Sequence, residues 1–164
     1  MARSAEFTTR GEEETEALAC RLGRLLHSPV VVALDGELGA GKTAFVRGLA
    51  RGLDVSGPVS SPTFALMASH AGRLPLLHFD AWMEGRERAF LADGGAELLG
   101  QGVCAVEWAE KVADILPADR LQVRLERVPD EGEDARRVRF DCLGRAPELE
   151  EVLSALLARP DGGA

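Results

Sequence analysis

Residues 36–43 read Gly-Glu-Leu-Gly-Ala-Gly-Lys-Thr and fit the pattern GxxxxGK[ST]. This stretch limits the possible folds more than any other. Gly36, Gly39 and Gly41 allow tight turns and a close approach of backbone to ligand, because no Cβ stands in the way. The pattern carries weight only where a buried strand leads in and a helix leads out. Val30 to Asp35 is a short β-branched apolar run that reads as a strand buried on both faces. Lys42 to Leu53 reads as a helix, with Phe45, Val46, Leu49, Ala50 and Leu53 on one face. A strand, glycine turn and helix of this kind wrap backbone N–H groups around a phosphate chain, with the positive end of the helix aimed at it. Gly36, Glu37, Leu38, Gly39, Ala40, Gly41 and Ala44 are then the residues around the phosphates. Lys42 reaches the β- and γ-phosphates as a compact charge, and the Thr43 hydroxyl can ligate Mg2+. Of 19 basic residues only Lys42 and Lys111 are lysine. A lysine kept in so arginine-rich a chain fits a position that needs an ammonium instead of a planar fork.

A phosphate loop of this type needs carboxylates to hold the metal, usually at the ends of apolar strands. Asp80 ends Leu76-Leu-His-Phe-Asp80, and Glu107 ends Val103-Cys-Ala-Val-Glu107. If both strands run parallel to 30–35, all three end at one sheet edge, where open α/β sheets place their ligands. His78, alone on a buried strand, reads first as a core residue, with catalysis as the lesser reading. Trp108 reads as core packing, or as an aromatic at a docking surface coupled through Glu107 to the phosphates, beside the nucleotide. Ser60-Ser-Pro-Thr63 can form a switch-like loop whose Thr63 reaches the metal or the γ-phosphate.

Elsewhere, Glu12 to His27 reads as a helix, with Glu12, Glu13 and Glu14 at its positive end. Phe64 to Ala68 and Leu74 to Asp80 read as strands around a turn at Ala71-Gly-Arg73. Glu84 to Gly102 reads as one or two short helices broken at Gly94-Gly95. Trp108 to Val112 reads as a helical turn. Arg120 to Arg127 and Arg137 to Leu143 alternate apolar with polar and read as a hairpin across Pro129 to Asp134, one face wet. Pro147 to Ala158 reads as a closing helix before a frayed tail, 159–164. The expected fold is a single three-layer α/β domain over residues 1–164, of the P-loop NTPase type with a mixed central sheet.

Composition narrows the function classes. The chain has 164 residues with 19 basic against 27 acidic, a net charge of −8. That balance argues against binding DNA or RNA by charge alone, and leaves nucleic acid to be reached through a partner. Apolar runs such as Val30 to Leu34 fall far short of the roughly twenty residues that span a bilayer, so no membrane association is expected. The N-terminus carries no apolar core of a secretory signal. Cys20, Cys104 and Cys142 are far apart and form no CxxC. They read as buried thiols in a reducing compartment, the cytoplasm.

Together, Gly36-Glu-Leu-Gly-Ala-Gly-Lys-Thr43, Ser61-Pro-Thr-Phe64, His78-Phe-Asp80 and Glu107-Trp108 occur in the order and approximate spacing of the TsaE (YjeE) family, and the chain resembles it over roughly residues 10 to 145. The resemblance implies a small P-loop ATPase of tRNA threonylcarbamoyladenosine biosynthesis. Such a protein binds ATP and Mg2+, hydrolyses slowly alone, and works with TsaB and TsaD, through which it meets tRNA. It also implies that Lys42 holds phosphates, that Thr43 with Glu107 or Asp80 holds Mg2+, that Glu12 and Thr15 lie by the nucleotide, and that Arg136 reaches it. Two departures stand out. The family's HFDxYR is here His78-Phe-Asp-Ala-Trp82-Met83, without the arginine, which Arg86 or Arg88 can replace; and Glu84 to Gly102 matches poorly. The competing readings are a small-metabolite P-loop kinase and a nucleotide-dependent adaptor without useful turnover.

Overall fold

The apolar runs of the sequence assemble into one sheet. The computed structural model describes residues 2–59, 67–81 and 95–158. Among them the strands are β1 (Ser4–Thr9), β2 (Val30–Asp35), β3 (Met67–His70), β4 (Leu76–Asp80), β5 (Val103–Glu107), β6 (Arg120–Arg127) and β7 (Arg136–Leu143), in the spatial order β1-β7-β6-β2-β5-β4-β3. The central strands β6, β2, β5 and β4 are parallel, and β7, β1 and β3 add antiparallel edges. This is the expected mixed α/β sheet. The parallel strands are covered on both sides, as their unbroken apolar runs require: β5 is buried along its whole length, and β2 at all but its two ends.

Three α-helices among the described residues, α1 (Glu12–Leu25), α2 (Lys42–Gly52) and α3 (Pro147–Ala158), lie on one face over Val32, Leu34, Val103, Leu121, Val123 and Phe140. On the other face, the single-turn helices at Gly95–Gly100, Ala109–Lys111 and Ala113–Ile115 sit beside a smaller core of Val31, Ala33, Leu77, Phe79, Cys104 and Val106. Over β6 and β7 that second face meets water, and it carries Arg124, Glu126 and Arg139. The hairpin is wet on one side, as its alternation predicts. All three cysteines are buried and free, and burial pushes the Cys104 thiol up to about 12.

The edges of the sheet differ from the sequence reading. β1 is an additional strand. It pairs with β7 from Ser4↔Asp141 to Thr9↔Arg136, and its alternation of exposed Ser4 and Glu6 with buried Ala5 is that of an edge strand. The strand expected at Phe64 to Ala68 runs over Met67–His70; residues 64–66, like Ser60 to Thr63, Trp82, Met83, Arg86, Arg88 and the proposed break at Gly94, lie outside the described residues. Within Glu84 to Gly102, the described part is the short helix Gly95–Gly100. No described helix is long and apolar enough to cross a membrane.

The packing of α1 on α2 sets where the loop at residues 36–41 points, because α2 begins at its end. Arg73, from the β3–β4 turn, locks this pair. It donates to the carbonyls of Gly23 and Leu26 at the end of α1, both at 2.8 Å, and of Gly52 at the end of α2 at 3.3 Å, adding donors at helix ends where carbonyls run short of them. The helices touch backbone to backbone at Gly48, where a Cβ would overlap the Glu16 carbonyl. In a free helix Gly→Ala gains up to about 1 kcal/mol; here the sign should reverse. Gly48→Ala is expected to destabilise by about 1–3 kcal/mol, read as a lower urea midpoint at an unchanged slope.

Candidate functional site

The parallel register carries three strand ends to one sheet edge. Glu107 is in register with Leu34 of β2 on one side and with Asp80 of β4 on the other. The loop from Gly36 to Gly41 crosses above these ends and leads into α2. Gly41 stands at the helix start with φ 107° and ψ 17°, a left-handed conformation natural to glycine, and no side chain caps the helix. The first N–H groups of α2 therefore face a cleft of about 480 Å3, a ready place for an anion.

Charged side chains anchor the loop through its carbonyls. Lys42, almost wholly buried, donates from Nζ to the Gly36 carbonyl and, at 3.0 Å, to that of Glu37. Arg127 at the end of β6 donates to Leu38 O at 3.2 Å. Arg136 at the start of β7 donates from Nη2 to Gly39 O at 3.2 Å and from Nε to Ala40 O at 3.1 Å. Five consecutive carbonyls, from Gly36 to Ala40, are thus held by cations. Gly39 has φ 79°, and a Cβ there would strike the Arg127 guanidinium.

Lys42 Nζ also lies 3.7 Å from the centroid of the Trp108 ring, a cation–π contact. Burial lowers the pKa of this ammonium, while Glu107, Glu110, Asp80 and Asp35 act to raise it. Trp108 has φ 58° and ψ 40°, unusual for so bulky a residue, and this backbone turns its ring from the end of β5 back over the lysine. Below it, Thr43 Oγ1 donates to Glu107 Oε1 at 3.0 Å, and Glu107 Oε2 lies 2.5 Å from His78 Nε2.

The structure brings most of the sequence candidates together. Glu12, Thr15, Leu38, Gly39, Gly41, Lys42, Thr43, Ala44, Asp80, Glu107, Trp108 and Arg136 line the cleft. Gly36, Glu37 and Ala40 line a second cleft, of about 790 Å3, beyond the loop, with Trp108 as the wall between the two. Thr63 lies outside the described residues. Arg136 lines the first cleft, yet its guanidinium also donates to the Glu133 and Ala135 carbonyls, so its bonds are to the loop and its own hairpin. Thr15 is buried, its hydroxyl 2.7 Å from that of Thr9, and Glu12 pairs with Arg47.

Sequence reasoning missed Arg47 and Asp134 of the first cleft, and Arg127 and Asp35 beside it. Arg47 was findable, since it stands one turn after Thr43 on α2. Asp35, the last residue of β2, accepts from the Glu110 N–H at 2.9 Å and from the Gln122 side-chain amide. Burial first, and then the neighbouring Glu110 carboxylate, push its pKa up to about 7, against the pull of Arg124.

As for chemistry, Thr43, Glu107 and Asp80 form a set of hard oxygen donors suited to Mg2+. No group of three or more His, Cys, Asp or Glu among the described residues forms a metal cage, and Mg2+ does not ask for one: it is commonly held by one or two carboxylates together with phosphate oxygens.

The family model TsaE, threonylcarbamoyl adenosine biosynthesis protein TsaE, matches residues 9–138. The chain is 37% identical over 149 residues to the tRNA threonylcarbamoyladenosine biosynthesis protein TsaE of Bacillus subtilis, covering 90% of this chain and 91% of that protein. It is 41% identical over 123 residues to the protein of the same name from Treponema pallidum, covering 74% and 91%. Its structure is similar to the crystal structure of Bacillus subtilis YdiB, with a TM-score of 0.72 and 34% sequence identity over 96% of this chain and 97% of that one.

The raised pKa of Asp35 gives a signed expectation. The folded state holds this proton to about pH 7, against an ordinary value of 3.8. The contribution of this carboxyl to stability is therefore full in acid and is lost as pH rises through about 7. Asp35→Asn, which cannot ionise, should show a melting-temperature advantage over wild type that grows between about pH 4 and about pH 7 and is level above. An equal difference at about pH 4.5 and about pH 8 would show that the carboxyl titrates normally.

Proposed function

The chain belongs to the TsaE family, and from that premise we propose that it is a P-loop ATPase that supports threonylcarbamoylation of adenosine 37 in tRNA, working with TsaB and TsaD to drive or reset their transfer complex. The observation that carries this reading is the bond from Thr43, the last residue of the phosphate motif, to Glu107 at the end of the neighbouring strand. It joins the two parts that Mg2+-dependent phosphoryl transfer requires, a phosphate cradle and a carboxylate at the metal position.

In this reading the N–H groups of the loop and of the first turn of α2 bind the phosphates, and Lys42 leaves the Gly36 and Glu37 carbonyls to meet the β- and γ-oxygens. Thr43, Glu107 and Asp80 hold Mg2+, which when bound offsets charge on the β- and γ-phosphates. Glu107 and Asp80, side by side in register, also orient the attacking water. Glu12, Thr15 and Arg136 border the nucleotide. Trp108 covers the phosphate end and links it to the second cleft.

The surface charge supports meeting tRNA through partners. The arginines on the open face of the sheet are interleaved with acid: Arg137 lies 3.4 Å from Glu6 and 3.8 Å from Glu126, and Arg139 lies 3.0 Å from Asp141. With a net charge of −8, such a face offers little net attraction to a phosphate backbone. Three free thiols suit a reducing compartment such as the cytoplasm.

The decisive experiment is reconstitution of tRNA modification with and without this chain; modification that proceeds equally well without it over many turnovers contradicts the role. Lys42→Ala should lower ATP hydrolysis by on the order of a hundredfold or more and weaken ATP binding, with some loss of melting temperature because two loop carbonyls lose their donor. The carboxylates have a different signature. Glu107→Ala and Asp80→Ala should each raise the Mg2+ concentration needed for half-maximal hydrolysis, and an unchanged requirement in both would place the metal elsewhere.

A further inference from the structure

His78 is the residue in this region that the chemistry above leaves unused. It sits in the middle of β4, two residues before Asp80 and on the same face, and it is wholly buried. Its Nε2 lies 2.5 Å from Glu107 Oε2, and Glu107 is itself almost wholly buried. Its Nδ1 is cut off from solvent and has no hydrogen-bond partner among the described residues. With no acceptor at Nδ1, the ring proton belongs on Nε2, where the carboxylate accepts it. A buried imidazole with one orphan nitrogen is a poor packing choice by itself, and the bond to the buried Glu107 carboxylate is what offsets it. What the imidazole supplies at this position is a single N–H aimed at Glu107.

A glutamate side chain has three rotatable bonds, and its carboxylate plane is fixed only if both oxygens are held. Thr43 holds Oε1 and His78 holds Oε2. Without the second bond, the Oε2 side of the carboxylate loses the donor that fixes its plane, in a site where the Lys42 ammonium already acts electrostatically on Glu107.

Resting on the reading of the site as an Mg2+-dependent ATPase, we propose that His78 is a positioning residue for Glu107: its Nε2–H holds one carboxylate oxygen so that the other faces Thr43 and the phosphate end of the cleft. Outer partners of this kind commonly fix the orientation of metal-binding groups, and their loss typically costs about 10–100-fold in metal affinity or activity.

The test uses the full chain and four proteins: wild type, His78→Phe, His78→Gln and His78→Asn. Phenylalanine fills the space without a donor. Glutamine carries its amide nitrogen near the position of Nε2, and asparagine carries its own near Nδ1, out of reach of Glu107. Hydrolysis is followed against ATP and against Mg2+, alongside thermal melting. The expected result for His78→Phe is a lowered melting temperature, because a buried Glu107 oxygen loses its donor, with a KM for ATP close to wild type, a kcat lowered about 10–100-fold and a raised Mg2+ requirement. His78→Gln should recover most of the loss and His78→Asn little of it. Wild-type kcat and Mg2+ requirement in His78→Phe overturns the proposal. If His78→Phe does not fold, the amide pair decides: glutamine active over asparagine supports positioning, and equal activity overturns it. A wild-type chain with no Mg2+-dependent turnover at all overturns the ATPase reading and this proposal with it, whereas normal wild-type turnover beside an unaffected His78→Phe removes only the role of His78.

Discussion

A loop that receives an anion has to turn its N–H groups inward, and the carbonyls that then face away need donors of their own. In this protein the donors are cations. Lys42, Arg127 and Arg136 hold the carbonyls of residues 36–40. Two of the three come from the β6–β7 hairpin, so the antiparallel edge of the sheet is a structural part of the cradle. Leu125 of β6 packs its side chain toward Gly41 and its carbonyl against Gly36, which closes the same contact from below. The arrangement also explains why Arg127 and Arg136 can face each other across the hairpin. Like charges directly opposite are unfavourable in a sheet, but here each guanidinium is turned onto the negative ends of loop peptides.

The fold was legible wherever burial leaves a periodic signature. β2 and β5 were visible as unbroken apolar runs, α1 and α2 as helical stripes, and the hairpin as an alternation. β1 was missed for a physical reason. Its six residues place few apolar side chains on the sheet, and they gain meaning only beside β7, far along the chain. The site divides in the same way. Gly36 to Thr43 is local, so the sequence contains the whole motif. Asp80 and Glu107 could be inferred because each ends an apolar strand. Arg127 is one of many arginines, and only the topology brings it to Leu38. The contact of His78 with Glu107 depends on the register that sets Asp80 beside Glu107, and no spacing in the sequence specifies that register.

Trp108 connects the two sides of the phosphate loop. Its left-handed backbone follows directly on Glu107 and precedes the short turn in which Glu110 meets Asp35. The start of the loop and the end of β5 are therefore tied twice: once through the Asp35 carboxyl and the Glu110 backbone, and once through the Trp108 ring and Lys42. Backbone strain at a bulky residue persists where its surroundings hold it, and these two ties do so. Movement of Lys42 toward a phosphate chain removes one of them, which makes the turn after Glu107 the element most directly coupled to the state of the cleft.

The register of the parallel strands also explains why so small an acidic chain can concentrate charge at one edge. In a parallel pair, residues in register point to the same face, so Asp80 stands beside Glu107 on strands about 5 Å apart. By itself that pairing is repulsive. It is tolerable because the Lys42 ammonium lies near both, and because Thr43 and His78 each donate to Glu107. The carboxylate pair, the lysine and the two donors thus form one electrostatic unit. Removing the lysine takes away a cation that both carboxylates act on, and removing either donor takes away one of the bonds that hold Glu107. The same residues that would act on a phosphate chain are the ones that make their own close packing possible.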